Sequence, residues 1–354
     1  MLIFTNRTLQ QANDESALTR KYSPLSDALS CVDVTAKSSD TAWEVNNAAS
    51  IVSDANALKR LAIVFAGNRP VLLYVHGNNN SPSTCFARCQ ALEATYNVSV
   101  IGFSWESEGF QPDGSDLAGL SNAKVGTDTD EETLANVKSS NTSEGWIQRK
   151  SRRYAQAKVN AQQSASALAR FLRLVGSVRL AQDKNPYSAA FHSLGCHFLH
   201  YAVEIDGAVA ALAAANNVAL MAGCTGAAKH ASWVSKINPV RRVYVTFTNA
   251  DSVLAGARII DKDVKLGTNP GTERAIGAKY RYVDFNGAAK MKFGAHRYFV
   301  PDPGKTLSKH ARLLFSRIFE SELDFDPVTE SQKVVYPVGC AAGGQECYMG
   351  NASD

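Results

Sequence analysis

Short runs of apolar residues alternate with stretches of helical periodicity along most of the chain. This alternation predicts an α/β fold in which helices cover a mainly parallel β-sheet. Several runs are almost continuously apolar, as expected for strands that are buried on both faces. The predicted strands are residues 2–5, 71–75, 98–103, 188–191, 218–221, 243–247 and 280–285.

The clearest helical pattern covers residues 151–175 and predicts one continuous helix. Its apolar residues recur at three- and four-residue spacing and would form one buried stripe. The stripe consists of Ala161, Ala165, Leu168, Leu172 and Val175. A second helix is predicted to follow Ser193 directly, and its core-facing residues would be Phe198, Tyr201, Ala202 and Ile205.

Residues 106–145 show neither the alternation of a strand nor the three- and four-residue spacing of a helix. They contain nine acidic residues against two lysines, a net charge of −7. A long irregular segment inside a compact domain is typical of a functional loop. Because it follows a predicted strand directly, we expect a lid or cap at the carboxyl edge of the sheet. An inert surface insertion is the alternative. The whole chain, 1–354, is otherwise expected to form a single domain.

Composition and charge narrow the class of protein. The chain has 45% hydrophobic and 20% charged residues and a net charge of +4, which is ordinary for a globular protein and does not indicate nucleic-acid binding. The basic cluster 149–153, with Lys158, leads into the predicted helix, so we interpret it as a solvated helix start. The most apolar long stretch, 203–224, contains four polar residues and is not expected to span a membrane. The N-terminus lacks a hydrophobic signal core, and we therefore expect a cytoplasmic protein.

The seven cysteines do not form a metal-binding pattern. Cys85 and Cys89 are four residues apart, and Cys340 and Cys347 flank a Gly-rich segment. Neither pair is accompanied by the histidines or the second cysteine pair of a zinc site. A disulfide between Cys340 and Cys347 is compatible with the sequence. We expect no metal and no organic cofactor.

The strongest chemical signal is the sequence His192-Ser193-Leu194-Gly195, which joins an apolar strand to an amphipathic helix. This is the context of a nucleophile elbow, a tight strand-to-helix turn that presents a serine hydroxyl at the edge of the sheet. Phe191 occupies the position where the usual motif has its first glycine. The alternative for Ser193 is an ordinary helix N-cap, since serine is favoured there.

A second signal is the buried strand 71–75, which ends in His76-Gly77-Asn78. In hydrolases of this type the loop after such a strand supplies one oxyanion-hole N–H, and the residue after the nucleophile supplies the other. These donors would be the backbone N–H groups of Asn78 and Leu194. The alternative is a simple Asn-rich turn.

Two further strands are followed by an acid and a histidine. Asp251 comes just after strand 243–247, and His296 lies in the loop beyond strand 280–285. The order Ser193, Asp251, His296 is the one that α/β-hydrolases use for a catalytic triad. Asp261 and Asp263 lie well beyond the strand end, and Asp284 lies within a strand. We expect His76 and His192 to point away from the triad.

These motifs resemble the α/β-hydrolase family of unknown function known as DUF900. The resemblance rests on motifs that span nearly the whole chain in the same order. They are residues 3–7, 76–78, 102–105, 192–195, 248–252 and 296–299. It implies an α/β-hydrolase fold and the roles of nucleophile, acid and base for Ser193, Asp251 and His296. Phe191 and the long insertion after Trp105 depart from the family pattern.

The sequence therefore predicts a serine hydrolase that cleaves carboxylic esters through an acyl-enzyme intermediate. The expected partner is a small-molecule ester or an acyl lipid, contacted by Phe191, Trp105 and Gly77. Two alternatives remain, a membrane-acting lipase or phospholipase and a non-catalytic hydrolase-like binding protein. The oligomeric state does not follow from the sequence.

Overall fold

The computed structural model describes most of the chain, in ten segments. They are residues 1–37, 42–49, 52–116, 144–182, 185–286, 296–301, 307, 309–320, 335–340 and 347–349. These residues form a mixed α/β structure with a large, mostly parallel sheet flanked by helices. The expected fold class is confirmed at this level.

The strands are numbered in chain order. They are β1 Leu2–Thr5, β2 Arg7–Leu9, β3 Leu18–Tyr22, β4 Ser30–Ala36, β5 Trp43–Ala49, β6 Val71–Val75, β7 Ser99–Ser104, β8 Tyr187–His192, β9 Asn217–Met221, β10 Arg242–Phe247, β11 Tyr280–Asp284, β12 Val335–Cys340 and β13 Cys347–Met349. Each of the seven predicted strands is present, with its ends shifted by at most one residue. Strands β2 to β5, β12 and β13 were not predicted.

Eleven of the described strands form the main sheet, in the order β13-β12-β11-β10-β9-β8-β6-β7-β1-β4-β5. The pairs from β12 through to β1 are all parallel, and antiparallel pairs occur only toward the two edges. Strands β6, β8 and β9 are buried along their whole length. Their nearly continuous apolar sequences follow from this two-sided burial.

The helices are also numbered in chain order. They are α1 Asp54–Phe65, α2 Pro82–Thr95, α3 Glu144–Gln163, α4 Ala165–Ala181, α5 Leu194–Ala202, α6 Ala208–Leu212, α7 His230–Val234, α8 Ser252–Asp261 and α9 Lys309–Glu320. Among the described helices, none is long and apolar enough to cross a membrane.

The prediction of one helix over 151–175 is wrong, although its buried stripe is correct. Helix α3 ends at Gln163, and α4 begins at Ala165. The residue between them, Ser164, has φ −90° and ψ 0° and accepts a hydrogen bond on its hydroxyl from the Asn6 side chain at 2.7 Å. All five residues of the predicted stripe are buried. The apolar period thus continues across a break that a tertiary contact stabilises.

The helix after Ser193 is also shorter than predicted. Helix α5 ends at Ala202, so Ile205 lies beyond it. Phe198 and Ala202 are fully buried, whereas Tyr201 is only half-buried.

The predicted lid, 106–145, lies mostly outside the described residues. Its first five residues, 106–110, are buried, and its last two belong to α3. Glu106 accepts a hydrogen bond from the Arg7 guanidinium at 2.8 Å. Residues 106–110 therefore belong to the core. A lid formed by the part beyond residue 116 stays a prediction.

Strands β12 and β13 pair Cys340 with Cys347 in their antiparallel register. A disulfide between these two cysteines stays a prediction.

Candidate active site

The strand order reverses at β6, and this reversal positions the candidate site. From β6 the chain goes to β7 on one side of the sheet and then returns to β8 on the other side. In open parallel sheets, such a switch point leaves a crevice at the carboxyl ends of the two strands. Gly77 follows β6, and Ser193 follows β8, so both lie at this point.

Ser193 forms a tight turn between β8 and α5. Its backbone has φ 52° and ψ −118°, a conformation that non-glycine residues rarely adopt. Strained positions of this kind cost on the order of 1–3 kcal/mol and cluster at functional sites. The turn is held by three backbone hydrogen bonds. They run from Ser193 N–H to Met221 at 2.9 Å, and from Cys224 and Cys196 N–H to the Ser193 carbonyl at 2.9 and 3.0 Å.

The geometry argues against the N-cap alternative for Ser193. A capping serine has an extended backbone, and its hydroxyl accepts a hydrogen bond from the first turn of the helix. Ser193 has a positive φ, and its side chain makes no capping hydrogen bond. Its hydroxyl makes no hydrogen bond to any described residue. The hydroxyl at this turn therefore has no structural task within the described part of the protein.

Two glycines allow the elbow to pack against the end of β6. A Cβ atom at Gly77 would lie 2.6 Å from the Cβ and 3.2 Å from the Oγ of Ser193. A Cβ atom at Gly195 would lie 2.8 Å from the Val75 carbonyl oxygen. The distances of 2.6 and 2.8 Å are too short for a Cβ atom. The close approach between the loop after β6 and the turn at Ser193 therefore requires glycine at both positions.

The predicted oxyanion donors lie on the two sides of this contact. Asn79 and Asn80 donate their backbone N–H groups to the carbonyl and the hydroxyl of Ser107, at 2.8 and 3.0 Å. The N–H groups of Asn78 and Leu194 have no acceptor among the described residues. Leu194 is the first residue of α5, where a helix has no internal acceptor for its N–H. Two uncommitted donors thus flank Gly77 and Ser193.

Asp251 and His296 are brought together as predicted. Asp251 Oδ2 lies 2.7 Å from His296 Nδ1, and both side chains are buried. The other carboxylate oxygen, Oδ1, accepts the Leu254 N–H at 2.9 Å and so caps helix α8. The cap fixes the carboxylate, and the carboxylate in turn fixes the imidazole.

The segment that carries His296 is anchored by the two aromatic residues after it. The Tyr298 hydroxyl lies 2.6 Å from the Thr246 hydroxyl and accepts the Ala222 N–H at 3.2 Å. The Phe299 carbonyl accepts a hydrogen bond from the Tyr96 hydroxyl. Because β10 and β11 are adjacent and parallel, the loops that carry Asp251 and His296 leave the same edge of the sheet.

The expectation that His192 points away from the triad is wrong. Its ring centroid lies 4.7 Å from that of His296, and its Nε2 lies 3.2 Å from the His296 carbonyl oxygen. The same ring packs against Phe299 at 4.8 Å. The sequence offered one signal, since His192 directly precedes the elbow serine. Its orientation depends on a loop about one hundred residues away.

The expectation for His76 is confirmed. Its ring stacks on Trp105 at 5.7 Å, and its Nε2 accepts the Trp105 N–H at 3.1 Å. Trp105 and Phe191 are both fully buried, and Phe191 lies in β8 opposite Val75. Because neither side chain is exposed, the predicted substrate contacts of Trp105 and Phe191 are wrong. Gly77 is buried as well, but it packs against Ser193, and its contact with a substrate stays a prediction.

Ser193 directly follows His192, which contacts His296, but no hydrogen bond joins the Ser193 hydroxyl to His296. The contact between the elbow and His296 is made by His192. In enzymes without substrate, catalytic hydrogen bonds are often long and shorten only when substrate binds. The structure thus brings together the acid and the imidazole and positions the serine at the adjoining turn.

The other acids have different partners. Asp261 accepts hydrogen bonds from Lys265 and Tyr154, and Asp284 accepts one from the Asn286 N–H.

Among the described residues, no group of three or more His, Cys, Asp or Glu side chains could hold a metal ion.

No family model, curated protein or solved structure matches this chain. The resemblance to α/β-hydrolases therefore stays a prediction.

Proposed function

We propose that the chain is a serine hydrolase with an α/β-hydrolase fold and that it cleaves carboxylic esters. The proposal rests on one observation above all, a strained turn at Ser193 together with a buried Asp251–His296 pair that contacts the preceding residue, His192. Strain at a serine whose hydroxyl makes no structural hydrogen bond is what a nucleophile elbow requires.

In the proposed mechanism, His296 takes the proton of Ser193 through Nε2 while the serine oxygen attacks the ester carbonyl. Asp251 holds His296 in the tautomer that carries its proton on Nδ1 and stabilises the imidazolium. The N–H groups of Leu194 and Asn78 bind the oxyanion, and each such donor contributes roughly 3–4 kcal/mol to transition-state stabilisation. The tetrahedral intermediate then collapses, the ester C–O bond breaks, and His296 gives its proton to the departing alcohol, which leaves the acyl group on Ser193. Water, deprotonated by His296, attacks this acyl-enzyme, and the carboxylic acid is released as the proton returns to the Ser193 oxygen.

Gly77 would form the floor of the substrate site, since its Cα faces Ser193 at the closest approach of the two loops. A small-molecule ester or an acyl lipid remains the proposed substrate class, and a cytoplasmic location remains part of the proposal.

A p-nitrophenyl ester series with increasing acyl length tests this function. Wild type should hydrolyse at least one member, and Ser193→Ala should lose at least about 1000-fold in kcat. Ser177→Ala is a matched control because Ser177 is an exposed serine on α4. Equal rates for wild type and Ser193→Ala would refute the assignment.

A hydrolase-like binding protein is the second candidate, because the Ser193 hydroxyl and His296 are not hydrogen-bonded. A fluorophosphonate probe separates the two candidates without knowledge of the substrate. Labelling of wild type and loss of the label in Ser193→Ala support the hydrolase. A wild type that stays unlabelled supports the binding protein.

A further inference from the structure

A cavity of about 440 Å³ lies beside helix α5, one turn after Ser193. Its lining comes from helices α3, α5 and α7, the loop after β9, the end of α8 and the segment that follows it. A cavity of this volume is large enough for a small organic molecule. None of the proposed catalytic groups lines it.

One carboxylate oxygen in its wall is shared by two ammonium groups. Asp261 Oδ2 lies 2.5 Å from Lys265 Nζ and 3.0 Å from Lys158 Nζ, and it accepts the Tyr154 hydroxyl at 2.8 Å. Burial opposes ionisation of Asp261, but the hydrogen bonds from Lys265 and Tyr154 outweigh it and lower its pKa. A single negative charge therefore faces two positive charges.

The remaining charged residues of the lining do not remove this excess. Lys229 and Asp263 add one charge of each sign. With neutral histidines, the described residues that line the cavity thus carry one uncompensated positive charge. The prediction that Lys158 belongs to a merely solvated helix start is corrected by its ion pair with Asp261.

His197 and His200 line the cavity from one face of α5. Burial lowers the pKa of His197 to about 3, with a further contribution from Lys158, and burial also lowers the pKa of His200. Both imidazoles are therefore neutral at pH 7, and each carries one N–H donor. Neither ring makes a hydrogen bond to a described residue, and the Nδ1 atom of His200 is buried without an acceptor or a donor among them. Buried polar groups normally have partners, so the Nδ1 atom of His200 points to a ligand.

An aromatic wall adjoins the histidines. Trp233 stacks on His200 with ring centroids 5.2 Å apart and an interplanar angle of 25°. Together, the excess positive charge, the neutral N–H donors and the aromatic surface fit an oxyanion attached to a small organic group.

We propose that this cavity binds a small molecule through a phosphate group, held by Lys158, Lys265 and His197. The proposal does not depend on ester hydrolysis, because binding is measured directly and Ser193→Ala should bind phosphate as wild type does.

Isothermal titration calorimetry of the full chain with inorganic phosphate, at constant ionic strength set by chloride, tests the site. Wild type should bind phosphate, and Lys158→Gln should weaken binding at least about tenfold, since it removes a charge-assisted hydrogen bond. The Lys158 side chain is 30% exposed, and its removal leaves Asp261 paired with Lys265. His197→Gln gives a second variant with no change of charge, and it should also weaken binding.

Lys59→Gln is the matched control. Lys59 is exposed on α1 and does not line the cavity, but its loss changes the net charge equally. Phenyl phosphate in place of inorganic phosphate tests whether the natural ligand is free phosphate or a phosphate attached to an organic group. Tighter binding of phenyl phosphate indicates an organic ligand, and equal binding indicates free phosphate. Heats no larger than those of added chloride, or equal losses in Lys158→Gln and Lys59→Gln, would overturn the proposal.

Discussion

At the scale of a single residue, Ser193 combines backbone strain with a hydroxyl that the described structure does not use. Its φ of 52° and ψ of −118° lie near the mirror image of an extended conformation, which only glycine adopts readily. The strain costs on the order of 1–3 kcal/mol, and no hydrogen bond of the side chain offsets it. A chain selected for stability alone would have glycine here.

We therefore expect Ser193→Gly to be more stable than Ser193→Ala. Relief of the strain outweighs the extra conformational entropy that glycine loses on folding, which is roughly 0.5–1 kcal/mol. The free energy of unfolding, measured by urea denaturation, should be higher for Ser193→Gly by about 1 kcal/mol. At Ser177, in the helical backbone of α4, the same pair should differ in the opposite direction by about 1 kcal/mol. If the glycine variant is less stable than the alanine variant at Ser193 as well as at Ser177, the Ser193 turn is not strained in solution.

At the scale of an element, Asp251 links the start of helix α8 to the loop that carries His296. One carboxylate oxygen caps the helix, and the other holds the imidazole. The two tasks are separable, because asparagine caps a helix about as well as aspartate but presents an N–H group to the imidazole.

Asp251→Asn should therefore keep its stability and lose its activity. The free energy of unfolding should change by less than about 1 kcal/mol if the cap is retained. Hydrolysis of a p-nitrophenyl ester should fall about 10⁴-fold, because the amide favours the wrong tautomer of His296. Asp251→Ala loses the cap as well and should be destabilised by about 0.5–2 kcal/mol. If Asp251→Asn hydrolyses the ester at the wild-type rate, Asp251 does not orient a catalytic base.

The elements that the sequence predicts are those whose pattern follows from their own burial. Strands β6, β8 and β9 are buried on both faces, so their apolar runs stand out. Strand β5 has the buried and exposed positions of an edge strand, and no apolar run distinguishes it from a loop. The break at Ser164 depends on Asn6, which is distant in sequence and carries no periodic signal.

The same distinction holds for the candidate site. Ser193, Asp251 and His296 each follow a strand of one parallel sheet, and this placement alone predicts that they share an edge. The orientation of His192 and the burial of Trp105 depend on how separate loops pack together, which no local pattern encodes.

At the scale of the whole molecule, Arg7 joins the N-terminal segment to the loops at the carboxyl edge of the sheet. Its guanidinium is fully buried and donates to Glu106 at 2.8 Å, to Glu108 at 3.0 Å and to the Trp105 carbonyl at 2.7 Å. It also donates to the Thr19 carbonyl, on β3, at 3.3 Å. One side chain thus holds β2, β3 and the segment after β7 in a single arrangement.

The Arg7 guanidinium faces two carboxyl groups, those of Glu106 and Glu108. Burial raises the pKa of Glu106 to about 8, although Arg7 acts in the opposite direction and lowers it. The Glu106 carboxyl also accepts the backbone N–H groups of Glu108 and Phe110. Removal of Arg7 would leave two buried carboxyl groups without their positive partner.

We expect Arg7→Met to lose about 3–5 kcal/mol of stability at pH 8, the cost of breaking a buried ion pair by removing one partner. Folded wild type releases the Glu106 proton as the pH rises through about 8, but without Arg7 the pKa of Glu106 is higher, so the folded variant keeps this proton. The unfolded chain releases it above about pH 4.3 in both proteins. Above pH 8 the folded variant therefore binds more protons than folded wild type, and its stability falls more steeply as the pH rises. Urea denaturation at pH 6 and pH 9 should therefore show a larger loss at pH 9. Lys236→Met, which breaks the exposed pair with Glu204, should change stability by less than about 1 kcal/mol at both pH values. An Arg7→Met protein with the stability and pH dependence of wild type would mean that the buried ion cluster does not hold the edge loops together.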